Sequence, residues 1–268
     1  MAKLEYTLTN DMLFKKLFVQ YPDLLKRLAA ELLQIRYESI GQFEITNPDI
    51  YPELMGDKFC RLDINMTVNK ERVDLEIQVA DEGDYPERSL YYWAREYSSA
   101  LGAGTDYIKL PRTVVVSIIA FQLFDCAEFH SEFQPLEVRR HTPLTDRMSL
   151  HYFELPKLPE AVNPADGLKL WLGLFRAKTE EELKRIEGMG VPVMEQAIHA
   201  YRQITATDEF KELERLRSRA RSNEAAALRH AAEAEREKWE GVVADLRETV
   251  TEKDALIAAL QAKLARRL

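Results

Sequence analysis

The stretch RLDINMTVNKERVDLEIQVA, residues 61–80, carries acidic side chains at a spacing that could bind a metal ion. Asp74, Glu76 and Gln78 alternate with aliphatic residues, and Asp63 does the same in the first half of the stretch. Successive side chains of a β-strand point to opposite faces, so a hairpin of this stretch would have one acidic and one aliphatic face. Three carboxylates on one face repel one another unless a divalent cation or a proton neutralises them. The spacing is therefore compatible with metal-dependent chemistry.

Hydrolysis is the reaction that such a site would support. Mg²⁺ takes carboxylate oxygens and retains several water molecules, one of which can act as a nucleophile. The alternative is that the acidic face is the solvated outer face of an amphipathic hairpin, because charge patterns alone have weak specificity. The residues by themselves leave both interpretations open.

Composition limits the class of protein. The chain has 268 residues, of which 46% are hydrophobic, enough for one domain of ordinary size plus an extension. A net charge of −8 argues against non-specific coating of nucleic acid, which needs clustered Lys and Arg. No apolar stretch is long enough to span a membrane, and the first residues lack the pattern of a secretory signal. We therefore expect a cytoplasmic protein that makes no contact with a membrane.

Hydrophobic periodicity predicts the order of secondary structure. Pro22 is expected to bend the first helix, and Asn69 and Lys70 are expected to form the turn of the hairpin. The strand after the second helix is apolar enough to be covered on both faces. The predicted elements are a helix at 10–34, strands at 59–69 and 72–80, a helix at 86–102, strands at 113–124 and 148–155, and helices at 164–177 and 191–204.

The chain after residue 206 differs in composition from the rest. It has no proline and a single glycine, and Ala, Glu, Arg and Leu dominate, which is typical of a long helix. Apolar residues recur near its end at alternating steps of four and three, the a/d pattern of a coiled coil. The a positions are mainly β-branched and the d positions mainly Leu, which favours two parallel strands and hence a homodimer through the C-terminal helix. A helix that packs on its own domain is the alternative. The pattern comprises Trp239, Val243, Leu246, Val250, Lys253, Ile257, Leu260 and Leu264.

Four sequence segments, taken in their order along the chain, resemble those of a known protein family. Asp63, twelve intervening residues and then Glu76-Ile77-Gln78 follow a segment reading NDMLFKKLF and precede one reading RSLYYWAREY. This set resembles the PD-(D/E)xK nuclease superfamily, and more closely the recombination-promoting nuclease / putative transposase family. The resemblance covers about residues 8–124, and more loosely the charged tail.

The resemblance implies both a fold and a site. The fold is α/β, a restriction-endonuclease-like α-β-β-β-α-β core, followed by a helical C-terminal extension that ends in the coiled coil. Asp63 and Glu76 would bind a divalent metal ion, Mg²⁺ or alternatively Mn²⁺ or Ca²⁺. Gln78 stands where many relatives have a catalytic lysine, and a neutral amide can position water but cannot stabilise developing negative charge as a cation does. The expected domains are a nuclease-like domain at 1–150, an accessory helical region packed on it at 151–206, and the long helix at 207–268.

Further site residues are expected on the two helices that flank the hairpin. In the first helix, Lys15 or Lys16 could supply the missing positive charge, although both could equally be ordinary solvated lysines. Asp11 could add a carboxylate to the metal site, although an acid in the first turn also interacts favourably with the helix dipole.

The helix at 86–102 has a polar stripe that could contact DNA. Arg88, Tyr92 and Arg95 lie at steps of four and three, and Arg suits bidentate binding of phosphate. The two arginines could instead pair with the local acids Asp84, Glu87 and Glu96. The predicted inner side of this helix consists of Leu90, Trp93, Ala94, Tyr97 and Leu101.

We therefore expect a metal-dependent DNA endonuclease that acts in recombination or mobile-element biology. The role in recombination comes from the resemblance alone. The sequence does not exclude cleavage of RNA or of single strands. The alternative from another class is a non-catalytic, nuclease-like scaffold that acts through its coiled coil.

Overall fold

The computed structural model describes residues 2–46, 64–102 and 106–265. The chain divides into two compact units, Met1–Thr207 and Asp208–Leu268. The first unit contains a six-stranded mixed sheet and six α-helices in its described parts, and the second is a single helix. The helices are α1 (Asp11–Gln20), α2 (Pro22–Leu32), α3 (Tyr85–Ser99), α4 (Gly167–Arg176), α5 (Glu180–Glu187), α6 (Pro192–Ala206) and α7 (Asp208–Ala265).

The sheet has the strand order β1-β2-β3-β4-β6-β5. β1, β2 and β3 form an antiparallel meander, β4 and β6 run parallel to β3, and β5 is antiparallel to β6. The succession α1, β1, β2, β3, α3, β4 is consistent with the expected α/β core, with α2 added after α1. The strands are β1 (Phe43–Ile45), β2 (Ile64–Val68), β3 (Glu71–Gln78), β4 (Thr113–Ile119), β5 (His130–Phe133) and β6 (Met148–Glu154).

The hairpin between β2 and β3 forms as predicted. Asn69 and Lys70 both adopt positive φ angles, 49° and 72°, which are the angles of a tight turn that suits the twist of antiparallel strands. The Asn69 side chain accepts hydrogen bonds from the amides of Gly41 and Gln42, and so ties the turn to the residues before β1.

The predicted burial of β4 on both faces is also confirmed, since all seven of its residues are buried.

Two helix predictions were wrong. The single helix at 10–34 is two helices, because Tyr21 leaves the helical conformation before Pro22 opens α2. A residue before proline is disfavoured in the α region, and proline suits the first turn of a new helix. The sequence analysis also missed α5, which begins with a capping box between Thr179 and Glu182.

The face that α3 buries also differs from the prediction. Leu90 and Ala94, assigned to the inner side, are exposed, whereas Tyr85, Ser89 and Tyr92 are buried. The physical reason is the surface beneath the helix. Tyr85 packs in a hydrophobic cluster with Val115, Ile119, Leu150 and Tyr152, and Ser89 Oγ lies within hydrogen-bond distance of the Tyr152 hydroxyl.

Strand β6 spans the predicted domain boundary between residues 150 and 151. It lies between β4 and β5 within the sheet.

Among the described helices, none combines the length and the hydrophobicity that crossing a membrane requires.

The a/d residues of α7 are exposed along the helix. Exposed fractions range from 43% at Val243 to 59% at Trp239, and Leu246, Val250, Ile257 and Leu260 lie between these values. The coiled coil is not seen in this single chain, and the dimer stays a prediction.

Two histidines at the β5–β6 edge form a buried network. His151 Nδ1 lies 3.0 Å from His130 Nε2, and its Nε2 lies 2.8 Å from Ser149 Oγ. The same hydroxyl donates to Glu132 at 3.0 Å. Burial lowers the pKa of His151 to about 4; the Glu132 carboxylate raises this pKa, and His130 and Arg112 lower it further. His151 is therefore neutral in the folded protein at pH 7.

This network predicts a loss of stability in mild acid. His151 has a lower pKa folded than unfolded, so the unfolded chain binds more protons as pH falls from about 6.5 to about 4. The free energy of unfolding should fall across this window by an amount of the order of 2 kcal/mol from this group. Urea unfolding of His151→Gln should show a correspondingly weaker pH dependence. The exposed His199→Gln is the control, and an identical pH dependence in wild type and His151→Gln would contradict the prediction.

Candidate active site

The acidic face of β3 is buried. Asp74 is 1% exposed and Glu76 is 5% exposed, and both alternate with the aliphatic residues of the other face. The alternative of a solvated outer face is therefore wrong for these two side chains. Burying two carboxylates on one face of a strand carries a large desolvation cost, which makes this face a candidate functional site.

The neighbouring strands contribute further polar groups to the same face. Asn65 on β2 is in register with Asp74, and Ser117 on β4 is in register with Glu76. Thr113 on β4 is in register with Arg72. Register partners on adjacent strands point to the same side of a sheet, so these groups line one face with the two carboxylates.

Helix α3 lies against this polar face. Glu96 Oε1 accepts a hydrogen bond from Asn65 Nδ2 at 2.9 Å, and Glu96 Oε2 forms an ion pair with Arg72 Nη1 at 3.3 Å. Arg72 also donates to Ser99 Oγ at 2.6 Å, and the Trp93 indole donates to the Thr113 carbonyl at 3.0 Å. These bonds fix the helix on the sheet and give Arg72 a structural role at the end of the face away from Gln78.

The other predicted catalytic and metal-binding residues are Asp63, Gln78, Asp11 and Lys15. Asp63 lies outside the described residues. The half-buried Gln78 donates from Nε2 to the Ala80 carbonyl at 2.9 Å, at the end of β3. Asp11 accepts the Met12 amide of its own helix at 2.9 Å, as expected for an acid in a first turn. Lys15 is half-buried.

Lys16, which the sequence analysis considered together with Lys15, is 6% exposed. An ordinary solvated lysine would be exposed, so that alternative is wrong for Lys16. Lysines are rarely buried to this degree, so its position on α1 is unusual.

The three predicted DNA contacts on α3 have different environments. Arg88 forms an ion pair with Glu82 at 2.6 Å and lies over the Tyr85 ring at 5.1 Å. Tyr92 is 9% exposed, so its ring is not available for stacking on a base in this conformation. Arg95 is exposed. An acid therefore already binds Arg88, although not one of the acids within the helix, and Arg95 has the accessibility that a phosphate contact requires.

The donor chemistry of the acidic face fits a hard divalent cation. Asp74, Glu76, Asn65 and Ser117 offer carboxylate, amide and hydroxyl oxygens, which are the ligands that Mg²⁺ prefers, whereas Thr113 lies further along β4, beside Arg72. Within the described parts of the chain, no three side chains of His, Cys, Asp or Glu come together to hold a metal ion. The described carboxylates on this face are Asp74 and Glu76, and Asp63 is the third that the sequence analysis assigns to it.

The sequence analysis missed Ser117. Its side chain is 1% exposed, and within the described chain its Oγ has no hydrogen-bond partner. The signal was present in the segment TVVVSII, where one serine interrupts a run of aliphatic residues that is buried on both faces. A hydroxyl in such a strand needs either a partner or a function.

Comparison with known proteins identifies the type of domain. The family model described as PD-(D/E)XK nuclease family transposase matches residues 8–231, which is most of the chain and includes all the described elements from α1 to β6. The resemblance noted in the sequence is thus confirmed. The comparison with curated proteins and the comparison with solved structures gave no match.

Proposed function

Because the chain belongs to the PD-(D/E)XK nuclease family transposases, we propose that it is a DNA endonuclease that depends on a divalent metal ion and hydrolyses phosphodiester bonds. The observation that supports this most strongly is the burial of Asp74 and Glu76 on one face of β3. Together with the family match, these two buried carboxylates provide the negative charge that a cation-binding site requires.

Asp63 and Glu76 are the proposed metal ligands. The strand register supports the pairing, since Ile64, which follows Asp63 in the sequence, is paired with Leu75, which precedes Glu76. The ion is Mg²⁺ in this proposal, with Mn²⁺ or Ca²⁺ as alternatives. When bound, such an ion polarises a phosphoryl oxygen and lowers the pKa of a water molecule. Asp11 is a further candidate ligand from α1.

The remaining proposed residues orient the attacking water, offset negative charge on the phosphate or contact the DNA. Gln78 is proposed to position the attacking water through its amide, and Lys15 to offset the negative charge that develops on the phosphate. Arg95 is proposed to contact the DNA backbone, with Arg88 and Tyr92 holding the helix surface beside it. The proposed biological role is in recombination or mobile-element biology, and the family description supports it.

Cleavage of supercoiled plasmid by the purified full-length chain tests this function. We expect nicked and linear product with Mg²⁺ or Mn²⁺, and none with EDTA. Single-stranded DNA and RNA of the same sequence should be run in parallel, because faster cleavage of either would change the substrate class. Absence of cleavage on all three substrates with every metal would favour the non-catalytic scaffold.

The amide at position 78 gives a graded prediction. If Gln78 only positions water, Gln78→Ala should lower the cleavage rate by about 10- to 100-fold, less than loss of a metal ligand. Gln78→Lys should retain or raise the rate, because an ammonium can also stabilise the developing charge. Single-turnover cleavage rates at saturating Mg²⁺ provide the measurement. A Gln78→Lys protein that folds and binds metal but cleaves nothing would contradict this role.

The proposed assembly is a homodimer through α7. One site per chain cuts one strand, so two chains would be needed for a double-strand break. The exposed a/d residues of α7 are the proposed contact, and a β-branched a series with Leu at most d positions favours two strands.

A further inference from the structure

Ser117 occupies an unusual position for a hydroxyl. It lies in the middle of β4, a strand buried on both faces, and its side chain is 1% exposed. Its Oγ has no hydrogen-bond partner within the described chain. Burying an unpaired hydroxyl costs free energy, so such a group calls for a partner beyond the described residues.

The neighbours of Ser117 indicate where this partner would lie. Its register partner on β3 is Glu76, and its register partner on β6 is Tyr152. The Tyr152 hydroxyl is already paired with Ser89 Oγ at 2.5 Å. Among the described residues, the side of Ser117 that faces Glu76 is therefore where a further polar partner, such as a water molecule, would lie.

Side-chain length determines what fits between Ser117 and Glu76. Adjacent strands are about 4.8 Å apart, so the two side chains rise from neighbouring points of the same face. Glutamate is two bonds longer than serine, and its carboxylate can therefore extend further from the sheet than the serine hydroxyl. Buried water typically occupies the space beside the shorter side chain, where it forms hydrogen bonds with polar groups that lack a protein partner.

We propose that Ser117 is a positioning residue of the metal site. Its hydroxyl holds an ordered water between β4 and the cation that Glu76 binds, and so completes the polar surroundings of that cation. This inference rests on the proposed function, because it requires that Glu76 bind a divalent ion. It adds a residue on β4 to the residues already proposed for the site, which are Asp63, Glu76, Gln78, Asp11 and Lys15.

Isothermal titration of the full-length protein with Mn²⁺ tests this role without relying on cleavage. Ser117→Ala should weaken Mn²⁺ binding by about tenfold, the lower end of what loss of a supporting hydrogen bond costs a metal site. The metal-free variant should be at least as stable as wild type, because the substitution removes an unpaired buried hydroxyl. The rise in melting temperature on adding Mn²⁺ should shrink accordingly.

Thr113→Val is the matched control. Thr113 is on the same strand and the same face, is fully buried, and also has no partner for Oγ1 within the described chain, but it is in register with Arg72 instead of Glu76. This variant should bind Mn²⁺ within about twofold of wild type, a difference of about 0.4 kcal/mol.

The outcomes separate the inference from the proposed function. If wild type binds Mn²⁺ and Ser117→Ala binds it equally well, the role of Ser117 is refuted while the nuclease proposal stands. An equal loss in Thr113→Val would also refute it, because the effect would then be one of packing. If wild type itself binds neither Mn²⁺ nor Mg²⁺, both proposals fail together.

Discussion

Glu76→Gln should lower metal-dependent DNA cleavage by about 10³-fold or more, corresponding to about 4 kcal/mol of transition-state stabilisation. The substitution keeps the size and shape of the side chain but removes the negative charge that would hold the cation. Asp63→Asn should have an effect of the same size. Both variants should remain folded, because removing one of several carboxylates from a buried acidic face relieves repulsion.

Cleavage rates and melting temperatures, measured together, decide this prediction. Glu44→Gln is the control, since Glu44 lies on β1 of the same sheet but is exposed, and its rate should match wild type. A folded Glu76→Gln or Asp63→Asn protein with full activity would remove that residue from the site. Unfolding of the metal-free variants would instead assign the carboxylates a structural role.

The second large effect is expected in α7. Val250→Glu combined with Ile257→Glu should convert the dimer to a monomer, because four glutamates would then face one another across a short coiled coil. Only about three heptads of the pattern are present, and Lys253 already interrupts the d positions. The free energy of dimerisation is therefore expected to be small enough for these charges to abolish association.

The matched control places the same charges elsewhere on the helix. Ala255→Glu combined with Ala262→Glu adds two glutamates at f positions, which lie away from the a/d side, and this protein should stay dimeric. Sedimentation equilibrium distinguishes the species. A wild-type chain that remains monomeric at micromolar concentrations would contradict the homodimer, and dissociation of both double variants would show that net charge and not the heptad pattern controls association.

The elements whose pattern is local could be predicted from the sequence. The alternation along β3, the turn at Asn69 and Lys70 and the burial of β4 follow from a period of two, a pair of turn-forming residues and a run of aliphatic side chains. The family resemblance rested on the order of such local segments, which explains why it covered mainly residues 8–124, about half of the region that the family model matches.

Tertiary context decided the rest. The face that α3 buries could not be derived from its own periodicity, because Asn65, Arg72 and Thr113 on the sheet provide the partners of Glu96 and Trp93. The split of α1 from α2 depended on how one proline is accommodated at a helix end. The position of Ser117 beside Glu76 could not be predicted from the sequence, since it depends on the parallel register between β3 and β4.

Anomalous diffraction from crystals of the full-length protein grown with Mn²⁺ tests the central claim most directly. The proposed site predicts a Mn²⁺ peak with carboxylate oxygens of Asp63 and Glu76 at about 2.1 Å. Ordered Asp63 and Glu76 side chains with no peak between them, or a peak only elsewhere, such as beside His130 and His151, would contradict it.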